Sequence, residues 1–290
     1  MSTVAYEIVD VFTDRPFTGN PLAVVFGAES LAGAQMQALA REFNLSETVF
    51  LLPPTRAGAT YRARIFTPGG ELPFAGHPSV GVAVTGVRLG MFSAGTVVQE
   101  CGAGLLPIDV KDSTATLTGG TATVGEPLDP APVLAAVGLT ADDLAGDAPP
   151  RWAGCGLEFP FLRVRPDAVA RAKVDSTAAE RFGAHGIDVF AWDAETREAH
   201  VRVFCPALSV PEDPATGSAA LGLGVWLVTS GLLPGDGESS YTVHQGLELH
   251  RPSVLACTVT AERGAVTAAT VTGTVVPMAR GEMAIPPFVG

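Results

Sequence analysis

Along this chain, short runs of alternating polar and apolar residues give way twice to stretches that are apolar on every side. From Gly217 to Val228 the residues are Gly, Ala, Leu, Val and Trp, with one small hydroxyl, Ser218. A helix without a polar face sits inside a shell of other structure. Glycines at 217, 222, 224 and 231 lower helix propensity, which is reasonable where neighbouring backbone approaches closely. Ahead of this helix, Arg202 to Phe204 alternate like the end of a strand, and Pro206 and Pro211 break its continuation. Asp213-Pro214 is expected to supply the N-cap and first helical residue.

The same pattern occurs earlier, nearly half the chain away. Arg64-Ile-Phe-Thr-Pro matches Arg202-Val-Phe-Cys-Pro, and Ala75-Gly76-His77-Pro78-Ser79 leads into a second apolar helix that contains glycine. Two such units predict two similar domains, each built around a buried helix. Helix N-termini attract anions, so a pair of them suits a small acid.

The remaining pattern fills in the two halves. Strands are predicted at Tyr6 to Phe12, Leu22 to Phe26, Val49 to Leu52, Tyr61 to Thr67, Thr96 to Val98, Gly104 to Val110 and Thr114 to Leu117, with a helix starting at Ser30. Gly125 to Pro150, rich in Pro, Asp and Ala, reads as a linker with short helical turns. Strands at Phe159 to Val164, Asp188 to Trp192 and Ala199 to Phe204 follow, along with helices near Pro166 to Ala170 and Ser176 to His185. Four further strands are expected at Tyr241 to Val243, Ser253 to Thr260, Ala265 to Thr272 and Thr274 to Met278. The domains are placed at 1–122 and 123–290, with the last strand free to cross back to the first.

Composition narrows the function. A length of 290 residues, 47% hydrophobic and 17% charged, describes a well-buried globular protein. A net charge of −12 argues against nucleic acid and anionic membrane surfaces as partners. The N-terminus lacks a basic stretch before an apolar core, and no apolar run is long enough to span a bilayer, so a cytoplasmic location is expected. Cys101, Cys155, Cys205 and Cys257 have no paired spacing and read as buried free thiols. The five histidines form no ligand set, and no metal is expected.

Phosphate-loop, dinucleotide, nucleophile-elbow and metalloprotease patterns are all missing from the sequence. Acid–base chemistry by Glu47, His77 and Asp213 is what remains. Each has a plainer reading: Glu47 as a turn residue, Asp213 as a helix cap, His77 as a local cap. Thr216 and Ser218 could likewise satisfy only first-turn amides. Polar helix mouths built twice favour the functional reading.

The segments VDVFTDRPFTGNPLAVV, LSETVFL, RIFTPGGELPFAGHPSVG, VPEDPATGSAALG, QGLELHRPS and VTGTVV, in this order over nearly the whole chain, resemble the PhzF-like isomerase family of phenazine biosynthesis, which has the diaminopimelate-epimerase-like fold. The resemblance implies an α+β protein of two pseudo-symmetric domains, each a mixed barrel-like sheet around a central helix, with the active site in the cleft between them. It implies a homodimer, no cofactor, and a small carboxylic acid substrate like trans-2,3-dihydro-3-hydroxyanthranilate. Glu47 matches the family's acid–base, and His77 and Asp213 its assisting polar pair. Gly76, Gly217 and Ser218 match positions that hold substrate, with Asn20, Ser46 and Thr216 completing the expected binding set. The apolar surroundings of Glu47 suit a carboxylate that exchanges protons near neutral pH. Two alternatives stand beside this reading. One is a racemase or epimerase on the same scaffold, which would need a thiol at each helix mouth and would be sensitive to alkylation. The other is a non-catalytic metabolite-binding protein, indifferent to Glu47→Gln.

Overall fold

The computed structural model describes residues 2–208 and 210–287. It divides into two compact units. The first runs from the N-terminus to Leu117 and takes in the chain again from Thr272, and the second is Thr118–Val271.

In the first unit, β1 (Thr3–Val11) and β2 (Asn20–Phe26) form an antiparallel hairpin. Helix α1 (Gly33–Phe43) crosses to β3 (Glu47–Leu52), which runs parallel to β2. Strand β4 (Tyr61–Phe66) is antiparallel to β3 and carries the short β5 (Glu71–Leu72) on its other side. Helix α2 (Gly76–Arg88) leads to β6 (Gly95–Cys101), parallel to β4, and then to β7 (Gly104–Lys111) and β8 (Thr114–Thr118). Sequence alone places α1 at Ser30. It starts later because Gln35 Oε1 accepts from the Ala32 N–H at 3.0 Å and so supplies the cap.

The second unit repeats this order of connections. It contains β9 (Ala122–Pro127), α3 (Pro130–Ala136), β10 (Arg151–Cys155), β11 (Glu158–Arg163), α4 (Pro166–Val169) and α5 (Ser176–Phe182). Then come β12 (Ile187–Asp193), β13 (Glu198–Cys205), β14 (Val210–Asp213), α6 (Gly217–Thr229), β15 (Gly237–Gln245), β16 (Ser253–Glu262) and β17 (Ala265–Ala284). The β11–β12 and β13–β15 pairs are parallel, and β12–β13, β13–β14 and β15–β16 are antiparallel, as in the first half. The long β17 enters the first unit at Thr272. There it pairs with β1 and with β8, closing that unit's strands into a barrel. The fold is α+β, with a mixed sheet wrapped round one helix in each unit.

Both central helices are buried as their composition requires. Every residue of α6 from Gly217 to Val228, and of α2 from Gly76 to Gly86, is buried. Helix α2 packs on β1, β2, β3, β6 and β7, and α6 on β9, β10, β11 and β16. The Trp226 ring meets Phe190 edge-on at 5.0 Å, and burying each such large side chain contributes roughly 1.5–3 kcal/mol. The two helices end alike. Leu89 N–H donates to Thr85 O and Val87 O, and Ser230 N–H to Trp226 O and Val228 O.

A second repeated device lies on the outer face of each sheet. Arg64 forms a fork with Glu71 at 2.7 Å, and its guanidinium lies 5.2 Å from the Phe66 ring. Arg202 forms a fork with Glu212 at 2.8 and 2.7 Å and lies 4.9 Å from the Phe204 ring. Two-point arginine–carboxylate pairing fixes geometry as well as adding energy, so it pins β5 to β4 and β14 to β13 just ahead of each helix.

The segment read as a linker, Gly125 to Pro150, opens with the last three residues of β9, which pairs with β10. The two strands expected after Ala265 are one. Asp213-Pro214 does not start α6: Asp213 ends β14, Thr216 is the N-cap, and Gly217 is the first helical residue. The pairing of Asp213 with Val203 holds it extended, and the turn then has to be completed before helical hydrogen bonding begins.

Close approach explains one glycine of α6 directly. A Cβ at Gly224 would lie 2.5 Å from the Tyr241 hydroxyl, which donates to Ala220 O at 2.6 Å. Gly224→Ala should therefore destabilise the protein by about 1–3 kcal/mol through overpacking, despite a helix-propensity gain of about 1 kcal/mol. Urea unfolding of the variant measures this, and equal or greater stability would show that the helix has room to shift.

Candidate active site

The polar residues singled out in the sequence gather into two clusters, one in each unit. In the first, Asn20 opens β2, Glu47 opens β3, and Gly76 and His77 open α2. The parallel register sets Leu22 beside Glu47, so the strands that carry Asn20 and Glu47 begin at the same end of the sheet. Gly19 makes the turn into Asn20 possible. It has φ +70°, and a Cβ there would lie 2.4 Å from Val11 O. The loop before it is tied down by the Phe17 N–H, which donates to Asp10 Oδ2 at 2.9 Å. Ser46 directly precedes β3.

His77 is the centre of this cluster. Its Nδ1 lies 3.3 Å from Asn20 Nδ2 and 3.4 Å from Glu47 Oε2. The imidazole is 3% exposed and Asn20 is fully buried. Burial pushes the His77 pKa from 6.5 down to about 3, so the ring is neutral at physiological pH. With the Asn20 amide donating to Nδ1, the ring proton sits on Nε2, which is buried and has no partner among the described residues. A proton on Nδ1 would instead point at the Glu47 carboxylate. The arrangement can therefore hold one proton between a carboxylate and an imidazole, or present an N–H donor.

The second cluster surrounds the mouth of α6. Thr216 Oγ1 donates to Asp213 Oδ2 at 2.6 Å rather than capping the helix. Gly217 and Ser218 are the first two helical residues and both are buried. Gln245, which sequence reasoning did not assign, organises this mouth. Its Oε1 accepts from Thr216 N–H at 3.0 Å, and its Nε2 donates to Asp213 O at 2.7 Å and to Thr216 Oγ1 at 3.0 Å. The signal was present: Tyr241, Val243 and Gln245 share the buried face of an alternating strand, where an amide is out of place unless it makes hydrogen bonds. Gly246 follows with φ +76°, and a Cβ there would meet Arg251 O at 2.4 Å and Pro214 O at 2.7 Å.

The first unit has its own buried polar chain below the mouth of α2. Tyr61 donates to Gln99 Oε1 at 3.1 Å, Gln99 to Ser79 Oγ at 2.9 Å, and Ser79 to Ala75 O at 2.8 Å. The described cysteines Cys101, Cys155, Cys205 and Cys257 are buried, and none stands in either helix mouth. Burial pushes the Cys155 and Cys257 thiols up to about 11 and about 12, far from a thiolate at neutral pH.

Comparison with known proteins gives this arrangement a family. Residues 9–281 match the family described as phenazine biosynthesis-like protein, PhzC-PhzF. The chain belongs to that family. It is 36% identical to an uncharacterized isomerase of Mesorhizobium japonicum, over 98% of this chain and all of the relative. It is 33% identical to the trans-2,3-dihydro-3-hydroxyanthranilate isomerase of Pseudomonas fluorescens, over 97% of this chain and 99% of that one. The crystal structure of a PhzF-family phenazine biosynthesis protein from Bacillus anthracis superposes with a TM-score of 0.88 at 25% identity, covering 98% of this chain and all of that one. The protein is an enzyme of the isomerase class.

The neutral state of His77 has a measurable consequence. Its pKa is 6.5 unfolded and about 3 folded, so its contribution to stability is complete above pH 6.5 and is lost as pH falls toward 3. The slope in that window is about 1.4 kcal/mol per pH unit. Urea unfolding at several pH values should show wild type losing its advantage over His77→Asn between pH 6.5 and 3. A constant difference would mean that His77 takes up its proton at the same pH in the folded and unfolded protein.

Proposed function

We propose that this PhzF-family enzyme is a cofactor-independent isomerase that moves a proton, and with it a double bond, in a small unsaturated ring carboxylic acid of the trans-2,3-dihydro-3-hydroxyanthranilate type. The observation that carries this reading is the Glu47 carboxylate at the start of β3, 13% exposed and 3.4 Å from a buried imidazole. That imidazole is neutral, because burial holds its pKa at about 3.

In this reading Glu47 is both base and acid. Its carboxylate takes a proton from one ring carbon, the electron pair shifts along the conjugated system, and the protonated Glu47 delivers the proton to another carbon. The step consumes no oxidant and no base, and the carboxylate is regenerated. A neutral His77 receives no net charge from the substrate. Its Nε2–H is a donor for a substrate oxygen. Asn20 holds the ring from behind, and Ser46 and Gly76 flank these groups as binding positions. In the second unit we assign Asp213 a polar assisting role, and Thr216, Gly217 and Ser218 the binding of polar substrate groups. The α6 amides suit a carboxylate there, since Thr216 leaves the helix uncapped by its side chain. A two-thiol racemase is disfavoured by the absence of a described cysteine at either mouth.

Incubation of trans-2,3-dihydro-3-hydroxyanthranilate with the enzyme in deuterated water, followed by NMR and mass spectrometry, tests the reading. Wild type should consume the substrate, and the product should carry solvent deuterium at a ring carbon. Glu47→Gln should lower kcat by at least about 10²–10⁴-fold, the usual worth of a positioned acid–base. Turnover that survives in Glu47→Gln would remove Glu47 from the mechanism. Inertness of wild type toward this acid, together with turnover of another ring acid, would revise the substrate alone.

A further inference from the structure

Asp188 is a buried carboxyl that the chemistry above does not use. It lies in β12, is fully buried, and neither side-chain oxygen has a hydrogen-bond partner among the described residues. Its direction is set by its neighbours. Phe190, two residues on and so on the same face, packs against Trp226 of α6. Phe161, its partner on β11, is what a Cβ at Gly222 of α6 would meet at 3.0 Å. Asp188 therefore faces the central helix, whereas Ile187 and Val189 pack into the apolar cluster on the other side of the sheet.

Strand register then places it in a row. Asp188 is opposite Val203, and Val203 is opposite Asp213. Residues opposite one another share a face, so both carboxyls point the same way, with their Cα atoms two strand spacings, about 10 Å, apart. The repeated Arg–Phe–Glu device aligns this row with one in the first unit, where Val49 is opposite Ile65 and Ile65 is opposite Leu72. What is Val, Ile, Leu in one half is Asp, Val, Asp in the other. Both ends of the row are acids in the second unit while its middle is apolar in both, which sets two carboxyls on one face with only Val203 between them.

We propose that Asp188 is a positioning residue for Asp213: a protonated carboxyl that donates, through one ordered water spanning the gap above Val203, to the Asp213 carboxylate at the mouth of α6. This rests on the proposed role of Asp213 in that mouth. A protonated acid is what the site allows, since burial holds the Asp188 carboxyl well above the usual carboxylate range. A water bridging two carboxyls has the polar partners that a buried water needs. On the same face, Phe161 is the partner of Asp188 on β11, and a Cβ at Gly186, two residues earlier, would meet the Cys205 thiol and Phe159. Arg202 and Glu212 lie on the opposite face, where they pair with each other. Arg165, Asp167 and Arg171 form an exposed network around α4, beyond that face.

The test uses Asp188→Val, which restores the residue of the first half, and Asp188→Asn, which keeps a neutral donor. The native carboxyl stays protonated while the unfolded one ionises above about pH 3.9, so this group's support for folding is full below that pH and is lost as pH rises. Asp188→Val should therefore be at least as stable as wild type at pH 7. Site-resolved carboxyl carbon NMR should show the Asp213 titration moving up by about one pH unit in Asp188→Val and staying in place in Asp188→Asn. On a turned-over ring acid, kcat should fall at least about tenfold in Asp188→Val and remain within twofold of wild type in Asp188→Asn. An unmoved Asp213 titration in Asp188→Val, or one that shifts in Asp188→Asn as if a charge had been removed, would overturn the proposal. The titration needs no turnover, so it separates this proposal from the assignment of substrate. Should Asp188→Val fail to fold, Asp188→Ala carries the same readouts.

Discussion

A helix with nothing to offer water has to be enclosed, and this constraint organises both units. The residues of α6 present Leu, Val, Ala, Gly and Trp all round, and every one from Gly217 to Val228 is buried. A flat sheet covers only one side of a helix. Curling the strands covers the rest, and in the first unit β17 completes the ring by pairing with both β1 and β8. The glycines follow from the same enclosure. At Gly224 the Tyr241 hydroxyl occupies the space of a side chain, and at Gly81 the Leu22 and Val11 side chains do so, at 2.5 and 2.9 Å.

Enclosure also decides where chemistry can occur. The flanks of a buried helix are sealed by strands, so its first turn is where polar groups can gather. The amides there are unpaired by helical bonding, and the strand ends bring side chains to meet them. In the first unit those are Asn20 and Glu47 around His77, and in the second Gln245 and Asp213 around Thr216. The Arg64–Glu71 and Arg202–Glu212 forks brace the strand just ahead of each helix from outside. The scaffold is thus repeated while its chemistry is not. One mouth holds a carboxylate against a neutral imidazole, and the other a hydroxyl–amide–carboxylate web with a further acid, Asp188, on the helix-facing side of its sheet.

Sequence reading recovered the units that have strong local signals. The two apolar helices and the strand preceding each lie in segments whose composition departs from ordinary surface or core. It failed where the signal is pairwise. Strand β9 runs into a stretch rich in Pro and Asp and is held as a strand by its ladder with β10. The Asp213-Pro214 pair has the local chemistry of a helix start. Its pairing with Val203 overrides that preference, and Thr216 becomes the cap. Gln245 and Asp188 were legible only as polar residues on alternating strands, with no indication of what they faced.

By itself, the sequence determined that the chain has two related halves, that each must enclose a helix, and that carboxylate and imidazole groups sit beside those helices. These are properties of composition and period, which local residues set. Only the tertiary structure decided that Asn20, Glu47 and His77 converge on one nitrogen, that burial keeps the imidazole neutral, and that Asp188 and Asp213 share a face. Convergence depends on strand register, and burial on what is packed above each group. Both are fixed by residues far away in the chain, whose pairing leaves no trace in the order of neighbours.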